Sequence, residues 1–278
     1  MNSNTPVDQY AVIGFPIKHS RSPFIHGLFA QQTHQQLEYQ RLEVAPEQLA
    51  EQVTHFFAKG GKGLNITVPH KQAIMHLLQH CSPRAQRAGA VNTVIKLADG
   101  TLLGDNTDGV GLLHDLRHNL HCELKDKRIL MLGAGGAARG VIAPLLEQAP
   151  DQLVIANRTI ERATQLAQEF SPLSRIQAVS FNDIPPTPFD VIINATSASL
   201  NGQMPALPHG IVGSHTLCYD MAYGKEDTVF TLWAKQHGAA WAVQGWGMLV
   251  EQAAEAFFLW RGVRPNTQPV LAALLNSI

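Results

Sequence analysis

"RILMLGAGGAARG", residues 128–140, decides how this chain folds. Arg128–Leu132 is a short apolar run of the kind that forms a strand buried on both faces. Glycines follow at once, and the pattern then turns helical. Gly133-Ala134-Gly135-Gly136-Ala137-Ala138 matches G-x-G-x-x-A, set between a strand and a helix, where the pattern carries information. Gly133 permits the tight turn, Gly135 lets a pyrophosphate approach the backbone, and Ala138 lets helix pack on strand. The helix N-terminus offers free N–H donors to an anion.

Working outward, Leu153–Ala156, Ile176–Val179, Val191–Asn194 and Leu217–Asp220 read as further strands, with helical stretches between several of them. This is a doubly wound parallel pattern. Toward the N-terminus, Tyr10–Ile13, Glu38–Val44 and Gly63–Val68 read as strands. Helices are expected over 23–33, 46–59 and 71–79. Strand–helix alternation argues for an α/β sheet covered on both faces. "VNTVIKLADGTLLG", residues 91–104, reads as a hairpin around Asp99-Gly100, so the first sheet is expected to be mixed, with an antiparallel edge. Near the end, "GWGMLVEQAAEAFFLWRG" (245–262) is one helix and Gln268–Leu275 another.

Composition narrows the function. The chain has 278 residues, 45% hydrophobic and 15% charged, enough for one large or two ordinary domains with a sizeable core. Net charge is −1 with no basic stripe, which argues against nucleic-acid binding. No apolar run approaches the roughly 18 residues that cross a bilayer, and the first ten residues lack a leader pattern, so no membrane role is expected. Cys81, Cys122 and Cys218 are odd in number and widely spaced, as expected of reduced thiols in a cytoplasmic protein. His76 and His80, like His114 and His118, are spaced to share a helix face. No third ligand stands at a familiar spacing, so no metal is expected.

The strand after the glycine loop should end in an acid if the cofactor were NAD. It ends instead in "IANRTIER", with Asn157 in place of the acid, Arg158 next and Arg162 a turn further. A guanidinium can fork onto a 2′-phosphate that a carboxylate would repel, so NADP is favoured. Polar residues cluster elsewhere. "HSRSP" holds Ser20 and Ser22, the latter a natural cap before Pro23. Asn65 and Thr67 share a face near the end of an apolar strand, where α/β proteins bind ligands. "GAVNT" adds Asn92, "GDNTDG" adds Asp108, and Gln252 sits alone on an apolar helix stripe. Lys71 falls in the expected first turn of a helix, where a cation is disfavoured by about 0.3–1 kcal/mol. That placement would make its amine readier to give up a proton.

The blocks "SRSP", "NITVPHK", "GAVNT", "GDNTDG", "GAGGAARG", "NRT", "NATS" and "QAAEAF", in that order, resemble the NADP-dependent shikimate dehydrogenases over nearly the whole chain. The resemblance implies an α/β protein of two domains with a cleft between. Residues 1–107 with 245–278 would form a mixed-sheet substrate domain, and 108–244 a Rossmann NADP domain. It implies shikimate contacts at Ser20, Ser22, Asn65, Thr67, Asn92, Tyr223 and Gln252, with Lys71 and Asp108 catalytic. Ser20 and Ser22 would hold the substrate carboxylate. Cofactor contacts would be Gly133, Ala134, Gly135, Gly136, Ala137, Asn157, Arg158, Thr159, Arg162, Thr196, Ser197, Met221 and Gly245. After "NATS" the family commonly has a glycine where this chain has Ser199, so that loop is expected to differ in shape.

The implied activity is reversible NADPH-dependent reduction of 3-dehydroshikimate to shikimate, in aromatic amino-acid biosynthesis. The expected partners are small molecules only, in a cytoplasmic monomer or homodimer. The alternatives are a quinate/shikimate dehydrogenase using NAD, a non-catalytic NADP-binding regulator and a folate-linked dehydrogenase of similar layout. The residues at 157–158 disfavour the first. The second has no need of a lysine–aspartate pair, and the third would lack the serine pair.

Overall fold

The computed structural model describes residues 7–171, 176–196, 198 and 202–278. Two compact units emerge: residues up to Gly111 together with Val250–Ile278, and Leu112–Leu249. Each has its own sheet.

The chain begins with β1 (Asp8–Gly14), α1 (Ser22–Gln32), β2 (Leu37–Glu43), α2 (Leu49–Ala58) and β3 (Gly63–Ile66). There follow β4 (His80–Cys81), α3 (Pro83–Ala88), β5 (Thr93–Lys96), β6 (Leu102–Asp105) and α4 (Asp108–His114). The first sheet runs β2-β1-β3-β5-β6-β4. β1 pairs in parallel with β2 and β3, because long helical crossovers separate them in sequence. β5 pairs antiparallel with both β3 and β6. The sheet is mixed, as the hairpin at Asp99-Gly100 requires, but the reversed strand is internal. The edge on that side of the sheet is the two-residue β4, paired in parallel with β6. Leu64, Ile66, Val91, Val94 and Ile74 pack under this sheet with Val53 and Phe57 of α2. Each such fully buried side chain contributes about 1.5–3 kcal/mol.

The helix expected over 71–79 does not form. Residues 68–72 are turns and Ala73–Leu77 is a single 3₁₀ stretch. The reason is tertiary. The Lys71 carbonyl accepts the N–H of Val91 at 2.7 Å, so it is taken by the strand connection instead of a helical partner four residues on. His76 therefore lies in the 3₁₀ stretch and His80 on β4, and the two share no helix face. β3 also ends earlier than expected, leaving Thr67 one residue past it.

The second unit contains β7 (Arg128–Leu132), α5 (Gly136–Leu146), β8 (Gln152–Ala156), α6 (Ile160–Phe170), β9 (Ile176–Val179) and β10 (Val191–Asn194). β11 (Leu217–Asp220), α7 (Val229–Gln236) and β12 (Trp241–Gln244) complete it. All six strands are parallel, ordered β9-β8-β7-β10-β11-β12. That is the doubly wound order, with its switch point between β7 and β10. Its strands are apolar on both faces, with Ile129, Met131 and Ile193 in one core layer and Leu130, Leu132 and Ile192 in the other. The last helices are α8 (Trp246–Arg261) and α9 (Thr267–Leu275).

Candidate active site

In the first unit a chain of polar groups runs along the ends of the central strands. Lys71 Nζ donates to Asp108 Oδ2 at 2.5 Å, with 17% of the lysine and 7% of the aspartate side chain exposed. Water screens the attraction in a pair so shielded less than in one on the surface. Asp108 Oδ1 accepts from Asn92 Nδ2 at 2.8 Å. Asn92 Nδ2 also faces Gln252 Oε1 at 3.4 Å, and Asn92 Oδ1 accepts from the Thr107 N–H and the Thr93 hydroxyl. Thr93 Oγ1 in turn accepts from Asn65 Nδ2 at 3.2 Å, and Asn65 Oδ1 accepts from the Tyr39 hydroxyl at 2.6 Å. Burial, opposed by a hydrogen bond with Ser22, pushes the Tyr39 phenol well above its usual range. Ser20 and Ser22 sit with their hydroxyl oxygens 3.2 Å apart.

So Lys71, Asp108, Asn92, Gln252, Asn65, Ser22 and Ser20 belong to one polar surface. Thr67 has its methyl against Gly14, and no hydrogen bond of its side chain joins it to the network among the described residues. Tyr39, Thr93 and Thr107 are members that sequence reasoning missed. Tyr39 alternates with exposed residues along β2 and looks like an ordinary strand residue.

Two expectations change. Lys71 precedes a five-residue 3₁₀ stretch, so no α-helix dipole acts on it and the electrostatic argument from that dipole falls. What acts on the ammonium is the Asp108 carboxylate. Ser22 is the first residue of α1, not its cap. The capping position is Arg21, whose own side chain makes no capping bond, while the Ser20 hydroxyl accepts the Ser22 N–H at 3.3 Å. Pro23 still pre-sets the first turn.

Asp108 opens α4. Its approach to Gln252 depends on Gly111, where an added Cβ would lie 2.6 Å from Gln252 Cβ. Behind Asp108, Arg84 forks onto Asp105 at 2.6 and 2.7 Å and reaches Glu255 at 3.1 Å. Burial would raise the Asp105 carboxyl, but hydrogen bonds from Arg84 and Ser82 outweigh it and hold that carboxyl below its usual range.

In the second unit the β7–α5 turn has the shape the glycines predict. Gly133 has φ +103°, and a Cβ there would press on the Ala195 backbone at 3.2 Å. Gly135 and Gly136 face open space, with no atom within 4 Å of an added Cβ. Ala134 and Ala137 are half-buried beside them, and Ala138 is fully buried against the sheet. Asn157 follows β8 and donates to the Thr159 carbonyl at 2.8 Å. Arg158, Thr159 and Arg162 are exposed, and among the described residues neither arginine is in an ion pair. Thr196 lies past β10, its hydroxyl donating to Asn194 Oδ1 at 2.7 Å. Met221 donates its N–H to the Asn194 carbonyl, and Gly245 donates to the Ala222 carbonyl. A side chain at Gly245 would meet the Met221 carbonyl at 2.6 Å. Tyr223, its phenol raised by burial, lies against Trp246 with ring centroids 4.4 Å apart. Ser197 and Ser199 lie outside the described residues.

An open glycine cradle at a helix N-terminus, beside the switch point and with two unpaired guanidinium groups after β8, fits a dinucleotide carrying an extra phosphate. No group of three or more metal-ligating side chains occurs among the described residues. None of their helices is long and apolar enough to cross a membrane. Cys81, Cys122 and Cys218 are free thiols.

Fold and site together define a dinucleotide-dependent oxidoreductase with a separate unit bearing a polar, lysine-centred site. The profile of the shikimate dehydrogenase substrate binding domain matches residues 12–94, that of shikimate / quinate 5-dehydrogenase 115–202, and that of the shikimate 5'-dehydrogenase C-terminal domain 245–275. A protein of Cellvibrio japonicus named shikimate dehydrogenase (NADP(+)) is 52% identical, over 98% of each chain. One of the same name from Alkalilimnicola ehrlichii is 54% identical over 96% of this chain and 98% of its own. The crystal structure of the Thermus thermophilus shikimate 5-dehydrogenase in complex with NADP(H) and shikimate superposes with a TM-score of 0.86 at 32% identity, over 98% of this chain and 100% of that one. An Ael1 enzyme from Pseudomonas putida superposes at 0.90 with 46% identity, over 96% of this chain and 98% of that one. The chain belongs to the shikimate dehydrogenase family.

Proposed function

We propose that this chain catalyses the reversible NADPH-dependent reduction of 3-dehydroshikimate to shikimate, as a step of aromatic amino-acid biosynthesis. The observation that carries the reading is the shielded Lys71–Asp108 pair, joined through Asn92 to Gln252. Interconverting a ketone and a secondary alcohol moves a hydride at carbon and a proton at oxygen. The cofactor, held in the glycine cradle, would supply the hydride as NADPH and accept it as oxidised NADP. Lys71 Nζ, fixed by Asp108, holds the proton at the reacting oxygen. Asp108 and Gln252 bind ring hydroxyls, Ser20 and Ser22 hold the carboxylate, and Asn65, Thr67, Asn92 and Tyr223 complete the substrate set. A polyhydroxylated ring accounts for a site made of hydroxyls and amides, each able to donate and accept.

Gly133, Ala134, Gly135, Gly136 and Ala137 carry the pyrophosphate in this reading. Asn157, Arg158, Thr159 and Arg162 carry the 2′-phosphate end, and Thr196, Ser197, Met221 and Gly245 the nicotinamide end. The enzyme works on small molecules in the cytoplasm, as a monomer or homodimer.

The test is a mutant cycle. Lys71→Ala should lower kcat by roughly 10²–10⁴-fold, with a much smaller change in KM for shikimate because the other polar groups still hold the ring. Asp108→Ala should also lower kcat. The double variant should be little worse than the more damaging single one, since the two side chains act as a unit. A Lys71→Ala enzyme with near-normal kcat removes the lysine from the mechanism.

A further inference from the structure

We infer that His70 is a positioning residue for catalysis: its side chain fixes the turn that carries Lys71. The inference rests on the assignment of Lys71 to the chemistry. Because no helix stiffens residues 67–71, something else must hold the ammonium in place beside Asp108. The turn's other side chains cannot. Val68 is 67% exposed and Pro69 is exposed as well. His70, by contrast, is 1% exposed, the buried side chain of an otherwise wet turn.

The His70 ring has one firm contact. Nε2 lies 2.7 Å from the carbonyl oxygen of Val44, just past β2. A carbonyl oxygen can only accept, so Nε2 carries the proton and donates. Val44 is itself fixed, being buried and donating its N–H to the Gly14 carbonyl at 3.1 Å. The backbone of His70 is held on both sides as well. Its N–H donates to the Thr67 carbonyl at 2.9 Å, and its carbonyl accepts from Ile74 at 3.0 Å. Lys71 follows directly, with its carbonyl bound to the Val91 N–H. The imidazole thus ties the lysine-bearing turn to the ends of β1 and β2, while Val91 ties it to the approach to β5. Phe15 also donates its N–H to the Val68 carbonyl at 3.1 Å, so without the ring bond one of these ties is lost, the one made by the residue next to Lys71. Nζ, at the end of a four-carbon stem, then no longer has a single position.

The test uses the full-length protein and compares His70→Leu, which removes the donor, with His70→Gln, whose amide nitrogen reaches the place of Nε2. His70→Leu should lower kcat by roughly 10- to 100-fold, the scale of an ångström-sized misplacement of a catalytic group, and leave the Kd for NADPH unchanged. His70→Gln should recover most of the loss. His70→Leu made in a Lys71→Ala background should cost nothing further, because its effect passes through the lysine. Where the leucine variant does not fold, His70→Asn replaces it, its amide being too short to reach Val44, and equal kcat in the Asn and Gln variants overturns the inference. So does a normal kcat in His70→Leu, or an equal loss with and without Lys71. If Lys71→Ala loses kcat while His70→Leu does not, only this inference fails. If Lys71→Ala keeps its kcat, the assignment beneath it fails, and the inference with it.

Discussion

Arg158 stands exposed at the end of β8 with no carboxylate partner among the described residues, and a 2′-phosphate is the partner its position suits. Removing one charge-assisted fork should cost about 1.5–3 kcal/mol, or roughly ten- to hundredfold in NADPH affinity. Arg158→Ala should therefore weaken NADPH and leave NADH nearly untouched in a fluorescence titration. Equal loss for both would make Arg158 a structural residue. The serine pair is open to a similar separation. The Ser20 hydroxyl accepts the first N–H of α1 only at 3.3 Å, so replacing Ser20 and Ser22 together by Ala should raise KM for shikimate more than it lowers the melting temperature. A lost cap would instead cost about 1 kcal/mol of stability at normal KM. A lower melting temperature with unchanged KM would return both serines to the fold.

Some secondary-structure elements are written plainly in the sequence and others are not. β7, the glycine turn and α5 were legible because every local requirement agrees: a buried strand, a Gly that must take φ +103°, and a small residue where helix meets sheet. The 71–79 segment misleads because its apolar spacing is helical, while the hydrogen bond that stops the helix comes from Val91, twenty residues away. β4 and β12 are short and lie at sheet edges, with too little pattern to announce them. In the site, Lys71, Asp108 and Asn92 were legible from motif blocks. Tyr39 and His70 were not, because the partners that give them meaning are 26 residues away in sequence. Tight backbone approach is equally invisible until the fold is known. At Gly111, α4 lies so close to Gln252 that a methyl group must push the helices apart. Gly111→Ala should destabilise the protein by about 1–3 kcal/mol through overpacking, and should also raise KM for shikimate by displacing Gln252. A denaturant melt superimposable on wild type would show that the two helices have slack.

For the molecule as a whole, acid stability should be governed first by one buried histidine. His26 is fully buried, stacked on Tyr39 at 4.2 Å, and neither ring nitrogen has a partner in hydrogen-bond geometry among the described residues. Burial lowers its pKa to about 3, against an ordinary 6.5, with nearby Asn65 opposing. The folded protein thus keeps His26 neutral where the unfolded chain protonates it. Its effect is absent above pH 6.5 and grows as pH falls toward 3. Each unit of pH in that window should remove about 1.4 kcal/mol of stability. Asp105 works in a lower window, contributing above its ordinary 3.8 and losing that contribution as pH falls through its depressed folded value. His26→Phe should flatten the slope between pH 6 and 4.5 in denaturant melts, and an unchanged slope would show that His26 becomes charged within the fold.

For the whole enzyme, the functional assignment is shikimate as substrate and NADP as partner in one reaction. Its most direct test is the initial rate of reduced-cofactor formation by the purified protein, measured with shikimate or quinate against NADP or NAD. The highest kcat/KM is expected for shikimate with NADP, with a clear loss when either is exchanged. A folded protein that binds NADPH but shows no shikimate-dependent turnover, or one that prefers quinate with NAD, would contradict it.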